Sequence, residues 1–240
     1  MDWLTNPEVW ASLLALTAME IVLGIDNIVF LAILVDRLPP GRRANARRIG
    51  LGLALIARLA LLTGITTIMR LTQPVFEVAG QAFSWRDIIL IAGGLFLVWK
   101  GTTEIHGRIE GEGAHQARDT AAASFGAIIV QIVLIDLVFS IDSVITAIGM
   151  ANQLWIMMAA VVISIGVMFA AAGPVAGFIE RHPTVRMLAL SFLLLIGTML
   201  VADGFGAHIS RGYIYAAMGF SMLVELLNRL AALRGARRRR

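Results

Sequence analysis

The chain has 240 residues, 58% of them hydrophobic and 15% charged, with no cysteine, and its mean hydropathy is +0.82. A soluble domain is roughly half apolar and a quarter charged, so this composition excludes disorder, a disulfide scaffold, a cysteine-ligated metal site and a thiol nucleophile, and leaves a membrane protein. The net charge of +4 does not build a nucleic-acid face: arginines gather at Arg37, Arg42, Arg43, Arg47 and Arg48, and again at Arg234 and Arg237 to Arg240, each time beside an apolar stretch. There they report topology and meet anionic lipid headgroups.

A spanning helix needs about 20 mostly apolar residues. In chain order the candidate spans are 8–35, 47–70, 85–104, 121–149, 154–179, 185–203 and 212–232. The expected fold is therefore all-α, a polytopic membrane protein with seven transmembrane helices in one domain over 1–232, followed by a basic cytoplasmic tail at 233–240. The uncharged core of the third span, 88–99, is short, so Arg86 and Lys100 must snorkel to opposite headgroup layers. Lys100 and Glu104 read as an i, i+4 pair at the interface. Five arginines fall between spans one and two, Arg108 and Arg118 between three and four, and Arg181 and Arg186 between five and six, whereas the other side carries Arg70, Arg86 and Arg211. The positive-inside rule then puts the N-terminus outside and the C-terminus in the cytoplasm. Met1 to Trp10 lacks a basic n-region, so no cleavable signal peptide is expected.

Shifting the chain by 116 residues aligns Glu20-Ile-Val-Leu-Gly-Ile-Asp26-Asn27-Ile-Val with Asp136-Leu-Val-Phe-Ser-Ile-Asp142-Ser143-Val-Ile. The copies lie in spans one and four, three crossings apart, so they enter the membrane from opposite sides. This predicts an inverted repeat, with repeat one at about 8–104, repeat two at about 121–203 and the seventh helix added, an organisation that places substrate sites near the midplane where the halves meet.

An ionised Asp at the centre of a span costs about 2.5 to 3.5 kcal/mol on the insertion scale, so four carboxylates in spans call for protons, basic partners or a bound cation. On an unbroken helix a separation of six puts Glu20 and Asp26 about 120° apart, and likewise Asp136 and Asp142. Gly24 and Ser140 lie between them and are the expected places for each helix to unwind and turn both acids toward one centre. The ligands offered are oxygens, from Glu20, Asp26, Asn27, Asp136, Ser140, Asp142 and Ser143, while all four histidines fall in loops or at span ends. Such a set suits a hard divalent ion, Mn2+, Mg2+ or Ca2+. Met19 beside Glu20 could add a soft ligand, or could simply pack. Arg58, deep in span two, cannot discard its charge. Its two readings are a structural salt bridge and a role in displacing the ion.

The Glu20-Ile-Val-Leu-Gly-Ile-Asp-Asn-Ile-Val-Phe motif, the Gly93-Gly-Leu-Phe-Leu-Val-Trp-Lys100 run with Glu104-Ile-His106, and Phe139-Ser-Ile-Asp-Ser-Val-Ile145 together resemble the TerC family of integral membrane proteins, and among them the shorter bacterial members of the YgdQ type. The resemblance runs from Trp10 to about Asn228. It implies a LysE-superfamily-like fold with seven spans and export of a metal ion, Mn2+, with Glu20, Asp26, Asn27, Asp136, Asp142 and Ser143 as the metal site. Asp136 opposite Glu20 departs from an exact repeat of the ligands.

The leading expectation is an inner-membrane exporter of Mn2+ working by alternating access with proton counter-transport, because carboxylates can release a cation by taking up protons. Its partners would be the lipid bilayer, the divalent cation and protons, with no nucleic acid and no organic cofactor. Two alternatives stand beside it: an exporter of a small organic cation, and a membrane assembly or insertion partner whose carboxylates only hold helices together. An enzyme is not expected, since the chain has no His-Glu-x-x-His, no cysteine and no Ser paired with an intramembrane His.

Overall fold

The computed structural model describes residues 7–64, 69, 71–78, 80–110, 125–148, 153–207 and 209–238; the side chains of Asp26 and Asp142 lie outside the described residues. Among the described residues the chain forms seven long helices and one hairpin. In chain order these are α1 (Pro7–Val35), α2 (Pro40–Thr63), β1 (Pro74–Val78), β2 (Gln81–Ser84), α3 (Trp85–Ile109), α4 (Phe125–Ile148), α5 (Leu154–Arg181), α6 (Pro183–Gly204) and α7 (Arg211–Arg238). Five of them, α1, α3, α4, α5 and α6, are long and apolar enough to cross a membrane. Arg42, Arg43, Arg47, Arg48 and Arg58 keep α2 outside that group.

Most boundaries fall near where the hydropathy places them, and the start of α2 and the end of α7 are exceptions. Helix α2 begins at Pro40, before the expected start at 47, and is described to Thr63; residues 65–68 and 70 of the expected span, 47–70, lie outside the described residues. Proline is well suited to the first helical turn, where no N–H partner is needed, and arginines in the first turns can extend toward headgroups without interrupting the helix. Helix α7 runs on to Arg238, through the stretch expected to be a tail. Residues 121–124 and 149, at the ends of the expected fourth span, lie outside the described residues.

The hairpin was not foreseen. Its strands pair antiparallel around Gly80, which has φ of +79°, a backbone conformation that glycine adopts without penalty. Phe76 stacks on Phe83 at 5.5 Å, and Phe83 meets Phe205 at the end of α6 edge-on at 6.0 Å. Ser84 then starts α3 with a capping box, since its backbone N–H donates to Asp87 Oδ2 at 2.8 Å and Asp87 N–H donates to Ser84 Oγ at 3.2 Å.

The main helix contacts are α1 with α5, α2 with α4 and α3 with α6, while α7 lies on α6. Exchanging helices one, two and three for four, five and six converts the α1–α5 contact into α4–α2 and leaves α3–α6 unchanged. The α3–α6 crossing is tight because of glycine. A Cβ at Gly94 would lie 2.5 Å from the Gly197 carbonyl oxygen, and one at Gly197 would lie 2.9 Å from the Gly94 oxygen. Small residues let backbones approach where apolar lipid gives helices no hydrophobic drive to associate.

One end of the bundle is closed by ion pairs. Asp36, just past α1, meets Arg43 of α2 at 2.8 Å and Arg186 of α6; Arg43 also meets Glu180 of α5 at 2.7 Å. Glu104 of α3 pairs with Arg37 and, at 3.5 Å, with Arg108. The acid of the expected Lys100–Glu104 pair is thus held by arginines, whose forked donors suit carboxylates better than an ammonium does.

Candidate functional site

Glu20 and Asn27 come from α1, Arg58 from α2, and Asp136, Ser140 and Ser143 from α4. A separation of seven residues is nearly two helical turns, so Glu20 and Asn27 lie about 20° apart on one face of α1, as do Asp136 and Ser143 on α4. Neither helix is broken. Both α1 and α4 run without interruption through Gly24 and Ser140, so the expected unwinding there does not occur. Gly24 instead makes room for α5, because a Cβ at that position would collide with the Met168 thioether. Ser140 is fully buried and serves as a hydrogen-bonding residue of the site.

Arg58 is the hub. It is 1% exposed, the largest fully buried side chain described, and Glu20 beside it is 2% exposed. Its Nη1 donates to Glu20 Oε2 at 2.5 Å, its Nε to Ser140 Oγ at 2.9 Å, and its Nη2 to Asp136 Oδ1 at 3.4 Å. Ser140 Oγ in turn donates to Asp136 Oδ2 at 3.2 Å, and Asn27 Nδ2 donates to Asp136 Oδ1 at 3.0 Å. The two carboxylates that the 116-residue shift superposes thus share one guanidinium. Charges this deep require such pairing, since an unpaired buried ion costs several kcal/mol.

The network leaves an acceptor over. Asn27 Oδ1 is buried without a hydrogen-bond partner, and so is Thr17 Oγ1, one turn before Glu20 on α1. Buried polar oxygens are ordinarily satisfied, and an exception calls for water, an ion or a functional role. Next to the site, Arg58, Ser143, Phe139 and Tyr215 line a cavity of about 20 Å3, room for about one water molecule. Ser143 itself donates to the Ser140 carbonyl at 3.2 Å, and Met19 packs against the apolar core. Asp26 and Asp142 belong to α1 and α4, and their contributions lie outside the described residues. Among the described residues no group of three or more His, Cys, Asp or Glu side chains gathers. Thr17 and Tyr215 were not singled out from the sequence. Thr17 stands three residues before Glu20, a helical-face relation that could have flagged it.

Apolar helices long enough to cross a bilayer, packed around a hydrogen-bonded cluster of polar side chains, define a polytopic integral membrane protein with a polar centre. The sequence profile described as "Integral membrane protein TerC family" matches residues 5–240. The chain belongs to that family. It is 54% identical over 226 residues to the inner membrane protein YgdQ of Escherichia coli (strain K12), covering 94% of each chain. It is also 53% identical over 231 residues to the inner membrane protein YoaE of the same organism; that alignment covers 96% of this chain and 45% of YoaE, so the chain spans less than half the length of that relative. No solved structure matches the chain.

Proposed function

We propose that this protein exports a divalent metal cation, Mn2+, across the inner membrane, through a site at the meeting of two inverted three-helix repeats. The observation that carries the reading is the pairing of Glu20 and Asp136, buried carboxylates from α1 and α4, beside an unsatisfied buried amide oxygen of Asn27. Carboxylate and amide oxygens without imidazole or thiolate are a hard-cation ligand set. With one arginine against two acids, the described centre is net negative and attracts a cation. Asp26, Asp142 and Ser143 complete the ligands in this proposal, and protons taken up by the carboxylates aid release.

The seven helices would all span the membrane, with the arginine-rich end of α2 in the cytoplasm by the positive-inside rule. The exchange-invariant pattern of helix contacts supports the inverted repeat, as does the 116-residue sequence shift. Alternating access would then rock one repeat against the other about the fixed site. The inner-membrane location follows the names of YgdQ and YoaE.

The test is flux into proteoliposomes loaded with a metal-sensitive dye. Wild type is expected to move Mn2+ faster than Asp26→Asn, Asp136→Asn or Asp142→Asn. Equal rates for wild type and all three variants would refute export through this site.

A further inference from the structure

We propose that Arg58 is a tethered counter-cation that takes the place of the cargo between transport cycles, so that the guanidinium and the metal ion compete for Glu20 and Asp136. The inference rests on the reading of the site as a cation pathway and adds how the charge of the empty carrier is compensated in part. Three observations carry it.

The first is where the guanidinium sits. It holds one acid from each half at once, Glu20 at 2.5 Å and Asp136 at 3.4 Å, the positions that the 116-residue shift makes equivalent. A purely structural bridge needs one acid. A group that stands in for a divalent ion has to engage both.

The second is that the charge is supplied once. The residue 116 positions after Arg58 is Pro174, which lies inside α5 and can offer no side-chain donor. The carboxylates are duplicated across the 116-residue shift and the arginine is not, so among the described residues the pair shares one buried arginine.

The third is electrostatic. Arginine keeps its charge at any physiological pH, so Arg58 cannot leave the acids by losing a proton, as a histidine or lysine could. When a divalent ion takes the oxygens of Glu20 and Asp136 that Arg58 holds, its two charges come to lie beside the guanidinium, and like charges this close in a low dielectric repel strongly. The guanidinium must withdraw. The small cavity it lines with Ser143 and Tyr215 is contiguous with it and has room for a water-sized displacement. After the ion has left, Arg58 returns and the emptied site can reorient without carrying two naked carboxylates through the membrane. An ionised acid uncompensated in hydrocarbon would otherwise oppose that step.

Net efflux requires the empty carrier to return, whereas exchange of metal for metal across the membrane does not. The two can be compared in proteoliposomes of the full chain, with Mn2+ as the probe and binding measured on the same preparation. Arg58→Gln is expected to bind Mn2+ about tenfold more tightly, because its competitor is gone, and to lose net efflux by about tenfold or more while exchange continues. Arg58→Lys keeps a positive charge that can hold only one acid well at a time; it should retain net efflux and bind Mn2+ more tightly than wild type. If Arg58→Gln does not assemble, the affinity of Arg58→Lys decides. Unchanged Mn2+ affinity in the variants, or a parallel fall of exchange and net efflux, would overturn the competition and leave Arg58 a structural bridge. A wild type that neither binds nor exchanges Mn2+ would overturn the metal reading itself, and this inference with it.

Discussion

The energetics of the Arg58 centre can be tested without any transport assay, by a double-mutant cycle on Glu20 and Arg58. Their side chains are 3% and 2% exposed and 2.5 Å apart. Removing one member of such a buried pair costs about 3 to 5 kcal/mol, because it strands the other charge. Glu20→Gln leaves Arg58 with Asp136 at 3.4 Å and Ser140 at 2.9 Å, so its cost should fall near the lower bound, about 3 kcal/mol. Arg58→Gln takes the guanidinium from two acids at once and should approach about 5 kcal/mol. In the double variant only Asp136 is stranded, and it keeps its bonds from Asn27 and Ser140. The double variant should therefore be more stable than Arg58→Gln alone. For a chain of this size 1 kcal/mol moves Tm by about 2 to 4 °C, so Arg58→Gln should melt on the order of 10 to 20 °C below wild type. Scanning fluorimetry in detergent, using the intrinsic tryptophans, reads all four corners of the cycle. If the double variant loses as much as the two single variants added together, Glu20 and Arg58 are not coupled and the centre does not work as described.

Other positions give independent checks. Gly94→Leu should prevent assembly of the α3–α6 crossing, since even a Cβ there meets a carbonyl oxygen at 2.5 Å; Gly166→Ala, with nothing within 4 Å, should be stabilising by up to about 1 kcal/mol, and monodispersity on gel filtration separates the two. Asn27→Leu keeps bulk and removes the unsatisfied oxygen, so it should weaken Mn2+ binding by about tenfold or more, as measured by titration of the purified protein. Asp36→Asn frees two arginines that are each partly exposed; the loss should be about 1 kcal/mol or less and shrink further in high salt, which melting at two ionic strengths will show.

The membrane class, the helices and the two acidic motifs were legible in the sequence because burial in lipid forces long apolar runs and makes any carboxylate within them conspicuous. The start of α2 was not, since hydropathy follows side chains and cannot see that Pro40 begins a helix whose first turns carry Arg42, Arg43, Arg47 and Arg48. The hairpin escaped for the opposite reason: Pro74 to Ser84 is short, outside the spans and mostly exposed, so no burial pattern marked it. The Ser84–Asp87 capping box was a readable signal that the helix begins at Trp85. At the site, the six-residue spacing of the acids suggested that the helices must break. They do not, because the seven-residue spacing from Glu20 to Asn27 and from Asp136 to Ser143 already puts a polar pair on one face of each intact helix.

The repeat is similar enough to align and different where chemistry is concentrated. Gly24 in the first half admits the Met168 side chain, whereas Ser140 at the equivalent place accepts from Arg58 and donates to Asp136. Asn27 reaches across to Asp136, whereas Ser143 turns back to the Ser140 carbonyl of its own helix. Arg58 has Pro174 as its counterpart. Asn27 and Ser140 both donate to Asp136, and Arg58 bridges it to Glu20, so the acid of the second half is held by Asn27, Ser140 and Arg58 together. A carboxylate fixed by three donors has fewer lone pairs to offer an incoming ion and less freedom to follow it. Unequal donor sets on equivalent acids let the two repeats stay alike in backbone while the ion sees a firm ligand on α4 and a differently constrained one on α1.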